Sequence, residues 1–163
     1  MNLQSSDLEV VTESSLQAVG LRFNDLLIPQ GATISAAYIE FVVDETNNET
    51  TVLCMQAEAS DDAAQFGNDS GNISRRPLGN QTIEWSVAGW NSVGETQRSP
   101  DISPLIQALV AREGWRAGNS IAIIVNGSGK RVAKSYDGDP TAAPRLHVRF
   151  KSGPPSTTNA DLI

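Results

Sequence analysis

The chain predicts an all-β fold, an antiparallel two-sheet sandwich of jelly-roll type with one short amphipathic helix. Three observations carry that expectation. Most segments place apolar residues at every second position, short Gly-, Asn- and Pro-containing turns separate them, and a single segment has helical spacing. With 163 residues the chain fits one domain, and a domain of this size buries roughly two-thirds of its unfolded surface.

Taken in order, Asp7 and Glu9 open the first strand, and residues 19–23 set Val19, Leu21 and Phe23 on one face. After the turn Pro29-Gln-Gly31, residues 34–43 put Ile39, Phe41 and Val43 on one side, with Tyr38 and Glu40 opposite. Residues 51–59 alternate Leu53, Met55 and Ala57 with Cys54, Gln56 and Glu58. Residues 82–87 alternate Ile83, Trp85 and Val87 with polar partners. Each pattern is that of a strand with one buried and one wet face. Ile121 to Val125 is apolar throughout and reads as a central strand covered on both sides. In the last strand Leu146, Val148 and Phe150 oppose Arg145, His147, Arg149 and Lys151. Between these strands, Ile102, Leu105, Ile106, Leu109 and Val110 follow the i, i+3, i+4 spacing of a helix. Asp101 or Ser103 can cap it, Pro104 suits its first turn and Gly114 can end it, so it should close one end of the core.

Composition removes several function classes. Nineteen acidic against twelve basic residues give a net charge of −7, which disfavours nucleic acid, whose binding rests on neutralised phosphates. The longest apolar run, Ile121 to Val125, is far too short for membrane insertion. No leader pattern follows Met1, and Ser152-Gly-Pro-Pro-Ser-Thr-Thr-Asn159 is linker-like. The expected organisation is a sandwich module over 1–151 and a tail over 152–163, as a domain of a longer protein. The one cysteine, Cys54, forms no internal disulfide and reads as a partly buried, inert thiol.

Catalytic signatures are few. His147 is the one histidine, flanked at two-residue spacing by Arg145 and Arg149, so hydrolytic triads and the usual zinc sites are excluded. Asn126-Gly-Ser-Gly-Lys130 lacks the earlier glycine and the following Ser or Thr of a phosphate loop, and reads as a hairpin turn. Carboxylates are the remaining chemistry. Asp7, Glu9, Asp44, Asp61, Asp62, Asp137 and Asp139 lie at strand ends and in loops, and such clusters suit a calcium ion, which takes six to eight oxygens. The alternatives are solvated loops, or a carboxylate pair of a polysaccharide-degrading enzyme. For a sugar ligand the candidate rings are Trp90, Trp115, Tyr38 and Tyr136, with Trp85 assigned to the core. Arg22, Arg145 and Arg149 on polar strand faces can grip an acidic sugar or a partner's carboxylate, or they guard sheet edges against aggregation.

The order of motifs also resembles a known family. Val19-Gly-Leu-Arg-Phe23, Ile28-Pro-Gln-Gly-Ala-Thr-Ile34 and Ala36-Ala-Tyr-Ile-Glu-Phe41 are followed by Ile83-Glu-Trp-Ser-Val87 and the helical segment. Gly118-Asn-Ser-Ile-Ala-Ile-Ile124 and Ala143-Pro-Arg-Leu-His-Val-Arg-Phe150 complete the series. This order resembles the DNRLRE-type, disaggregatase-related domains, carbohydrate-binding-module-like sandwiches appended to secreted bacterial and archaeal proteins. The resemblance implies a non-catalytic, extracellular or cell-surface module that binds polysaccharide or serves in adhesion beside neighbouring domains, sometimes with structural calcium. The sequence departs from that picture in showing no obvious platform of aromatics. A structural spacer or protein-interaction domain is therefore the alternative.

Overall fold

The structure, a computed structural model, describes residues 5–11 and 17–152. All of the expected tail after Ser152 lies outside the described residues. Strands β1 (Asp7–Val10), β2 (Val19–Phe23), β3 (Thr33–Glu45), β4 (Thr51–Ala57), β5 (Ile83–Val87) and β6 (Thr96–Arg98) precede the helix α1 (Ser103–Val110). Strands β7 (Ile121–Ser128), β8 (Arg131–Lys134) and β9 (Arg145–Lys151) follow it. The pairs β1–β8, β2–β7, β3–β6 and β4–β5 are all antiparallel. The first eight strands thus form one long hairpin rolled upon itself, with orders β1-β8-β3-β6 and β2-β7-β4-β5 in the two sheets. That is a jelly-roll sandwich. Strand β9 adds to β3 over Thr33–Glu40. Glu40 pairs with Arg145 of β9 and with Arg98 of β6, so those two strands lie on opposite edges of β3.

Alternation decides what is buried. Ile39, Phe41 and Val43 of β3 meet Leu53, Met55, Trp85, Val87, Ile121, Ile123 and Val125 of the facing sheet. A bulge between Ile34 and Ala36 resets the alternation, so that Ile34 and Ala37 are both buried. The helix plugs the Ala57 end with Leu105, Ile106, Leu109 and Val110. Its polar Gln107 behaves as a strand partner would, donating to Ala32 O at 3.0 Å and accepting from Ile34 N at 2.9 Å. Asp101 sits just before the N-cap residue Ile102 and accepts from Ala37 N, Ser103 N and Ser103 Oγ. The Ala37 bond chiefly holds its carboxyl below the usual carboxylate range. Gly114 does not end the helix, whose C-cap is Ala111. Instead Gly31 N bonds Val110 O at 2.8 Å, and the bare Cα of Gly114 makes room for the Asp61 carboxylate.

The glycine stretch at the end of β7 is not a hairpin, because β7 and β8 belong to different sheets. Gly127 (φ +142°) and Gly129 (φ +86°) instead carry the chain across the sandwich edge, hard against β4. A Cβ at either would collide with β4 or the residue before it, at Val52 O or Thr50 O.

All of Ile121–Val125 is buried, and the outward pair Ala122 and Ile124 needs a cover. Residues 58–82, between β4 and β5, supply it. Phe66 packs on Gly20, the cross-strand partner of Ile124. The guanidinium of Arg76 lies 4.5 Å from the Phe66 ring centroid and pairs with Glu58 at 2.6 Å, both side chains being under a tenth exposed. Arg76 also donates to Ala64 O, Gln65 O and Asn72 O. Replacing Arg76 with alanine should therefore loosen this cover without unfolding the sandwich. Limited proteolysis should shift its first cuts into residues 59–80, with a loss of about 1–3 kcal/mol for the orphaned carboxylate and carbonyls.

Candidate functional site

Cross-strand partners share a face, so the buried residues Ile39 and Phe41 turn Tyr38 and Glu40 outward. On that outer face Tyr38 stands across from His147, Glu40 from Arg145 and Arg98, and Ala36 from Arg149. Lys151 ends the row, paired with Thr33. Four of the twelve basic residues thus gather where Glu40 is the one carboxylate among the paired residues of β6, β9 and β3 from 33 to 42. A chain of net charge −7 presents a locally positive sheet face.

Its centre is a stack. The His147 ring lies 4.7 Å from the Tyr38 ring at an interplanar angle of 11°. The Arg98 guanidinium lies 4.9 Å from the Tyr38 centroid and bonds Glu40 at 3.3 Å. Because β6 and β9 flank β3 from opposite edges, Tyr38 is held between cation and imidazole. Both faces of its ring are taken, so Tyr38 offers a ring edge and a hydroxyl rather than a stacking platform. Along β9, alternate residues stand about 7 Å apart, so Arg145, His147, Arg149 and Lys151 form an evenly spaced row. Arg145 donates to Thr141 O. Arg149 is exposed, and its guanidinium makes no hydrogen bond or ion pair among the described residues.

The other expected ligand residues separate from this face. Trp90 and Trp115 are corrected to core residues, 1% and 0% exposed. Trp115 Nε1 donates to Ile28 O at 2.8 Å, and the Trp90 ring packs 6.4 Å from that of Phe41. Tyr136 is 69% exposed but isolated in the β8–β9 connection. Arg22 is an internal clasp, donating to Ala63 O at 2.7 Å, Ser120 Oγ at 3.1 Å and Asn24 Oδ1. Its donors bind β2 to the 58–82 cover and are not turned to a ligand.

The carboxylates are spread over several places and mostly hold the chain together. Asp61 pairs with Arg112 at 2.5 Å, and Asp62 accepts from Ser120 N at 2.8 Å. Asp44 bonds Lys134, which stands across from Asp7, and Asp7 accepts from Ser5 Oγ at 2.9 Å. The Asp44 bond is the main reason the Lys134 ammonium titrates above its ordinary range, with Asp139 adding to it. Asp139 accepts from the Thr141 hydroxyl and amide, which hold it below the usual carboxylate range. Glu9 approaches Lys130 at 3.8 Å, and Asp137 is exposed in the turn after β8. Among the described residues no three of His, Cys, Asp and Glu form a group able to hold a metal ion.

Two residues of the positive face escape sequence reasoning, Arg98 and Glu40 as a pair. Strand β6 is three polar residues, Thr96-Gln97-Arg98, and carries no alternating signal. Among the described residues no helix is long and apolar enough to cross a membrane. No protein-family model matches the chain, and no curated protein matches it either.

Proposed function

We propose that this chain is a non-catalytic binding module of a larger extracellular or cell-surface protein, and that it grips an anionic polysaccharide on the outer face of β6, β3 and β9. The observation that carries the proposal is the row Arg145, Arg149 and Lys151, joined by Arg98, exposed on one sheet face among the described residues of an otherwise acidic chain. Guanidinium groups meet carboxylates and sulfates with two parallel N–H donors, and Arg149 is free to do so. Ring stacking has no part in the proposal, since both faces of Tyr38 are covered and Trp90 and Trp115 are interior. Calcium is not needed for this grip, which rests on the basic side chains of β6 and β9.

The test is retention on three immobilised polymers: polygalacturonate, dextran sulfate and neutral dextran. At low salt one or both charged polymers should retain the chain and neutral dextran should not. Raising ionic strength past 0.15 M, where the Debye length is about 8 Å, should weaken retention. Replacing Arg145 and Arg149 together with serine should weaken binding about tenfold, at roughly 0.5–1 kcal/mol per exposed contact. The thermal midpoint should hardly change. Equal retention on neutral dextran, or unchanged retention of the double variant, refutes the site. Retention on none of the three returns the chain to a spacer.

A further inference from the structure

One group on this face is poised differently from its neighbours. His147 is the single histidine of the chain. Its Nε2 is shielded from solvent and has no hydrogen-bond partner, at 3.9 Å from Glu40 Oε1. A proton on Nε2 points toward that carboxylate, and protonation of both ring nitrogens adds a positive charge between Arg145 and Arg149. The groups around it are few. Tyr38 and Glu40 face it from β3, Arg145 and Arg149 stand two residues to either side on β9, and Arg98 lies beyond the Tyr38 ring.

We infer that His147 makes polyanion binding depend on pH, its protonation filling the gap in the cationic row and tightening the grip. This rests on the binding face proposed above. A bound polyanion sets its sulfates beside Arg145, His147 and Arg149 and so favours the charged form of the ring. Ligand binding and protonation therefore favour each other, and by linkage each strengthens the other by the same factor. The sign follows. Since the ligand prefers the imidazolium, the extra affinity is present while the ring is protonated and is lost as rising pH deprotonates it.

Dextran sulfate is a suitable probe because its sulfates stay ionised throughout. Its dissociation constant should be measured calorimetrically with the full chain and with His147→Gln, between pH 8 and pH 5.5, at constant low salt. The wild type should tighten about five- to tenfold on acidification, the lower part of the usual coupling range. The His147→Gln chain should bind with one constant across the range. At pH 6.5 the imidazole NMR signals, unambiguous for a single histidine, should move toward their protonated positions when dextran sulfate is added. Binding that tightens equally in His147→Gln, or imidazole signals that ignore the polymer, overturns the switch and leaves the binding face standing. Absence of dextran sulfate binding by the wild type at every pH overturns the switch, and the face falls with it when polygalacturonate is not retained either.

Discussion

Replacing Arg131 with methionine is expected to lower stability by about 3 kcal/mol, read as a lower urea midpoint with an unchanged slope. Arg131 is 1% exposed at the Thr51 end of the sandwich, opposite the helix. Its guanidinium donates to Thr51 Oγ1 at 2.6 Å, Lys130 O at 2.6 Å, Glu49 O and Val87 O at 3.0 Å, and Ala88 O at 3.1 Å. One side chain from β8 thus closes the ends of β4 and β5 in the facing sheet. Burial lowers its proton affinity and the charge of Glu49 opposes that effect, but a guanidinium stays charged at any pH used to study folding. Methionine fills similar volume and removes the buried cation, a gain. It also leaves the Thr51 hydroxyl and the Val87 carbonyl without a donor where water does not reach, at about 1–3 kcal/mol each. The carbonyls of Glu49, Lys130 and Ala88 sit nearer the surface and can turn to water, so the net is a loss and not a collapse. For a chain of this size that loss corresponds to a fall of roughly 6–12 °C in thermal midpoint. Arg131→Lys, with three donors in place of five, should fall between the two. A methionine variant as stable as the wild type would mean that burying the cation costs as much as its bonds return.

Arg131 also marks where the sequence stops being informative. Period-two alternation made β2 to β5 and β9 legible, because one face of each packs inward; the exceptions are the β3 bulge at Ile34–Ala36 and Phe150, exposed near the end of β9. The apolar run of β7 announced a strand covered on both sides, and the 58–82 cover with Phe66 and Arg76 is the second layer that it required. Helical spacing likewise placed α1. What alternation cannot encode is a polar residue turned inward. Arg131 stands across from Val10, and only the partners waiting on β4 and β5 make its burial tolerable. Those partners lie more than forty residues away in sequence, beyond any local pattern. Strand β6 was hidden for a related reason. Three polar residues form a strand only because the edge of β3 offers them a ladder.

The candidate site was legible in half. The basic row of β9 and Tyr38 were visible as the polar side of two alternating strands, and the register then set them side by side. That His147 and Arg98 would enclose Tyr38 from opposite edges depends on strand order. The same holds for the loop carboxylates, whose partners Ser120, Arg112 and Lys134 come from distant segments. Read singly, those carboxylates suggest a cation site, whereas in place most are already hydrogen-bonded or paired.

Trp115→Ala should be the most damaging change tested, costing about 3–5 kcal/mol and lowering the thermal midpoint by roughly 6–20 °C. Its position beside the Gly114 turn suggested an exposed ring for a sugar. The chain instead folds the indole under itself, fully buried in the core cluster with Ile28 and the helix residues Leu109 and Val110. The indole N–H finds Ile28 O at 2.8 Å, which spares the interior an unsatisfied donor. Truncation would open a cavity and strip that carbonyl of its partner at once. Trp115→Phe keeps most of the packing and loses only the bond, so about 1–2 kcal/mol should suffice there. A sugar platform would behave in the opposite way. Alanine at an exposed ring leaves the urea midpoint in place and abolishes retention on glycan. Measuring both on one variant, at a temperature where it remains folded, separates the two roles. Lost stability with retained dextran sulfate binding assigns Trp115 to the core, and unchanged stability with lost binding would move the ligand face from β9 to this end of the sandwich.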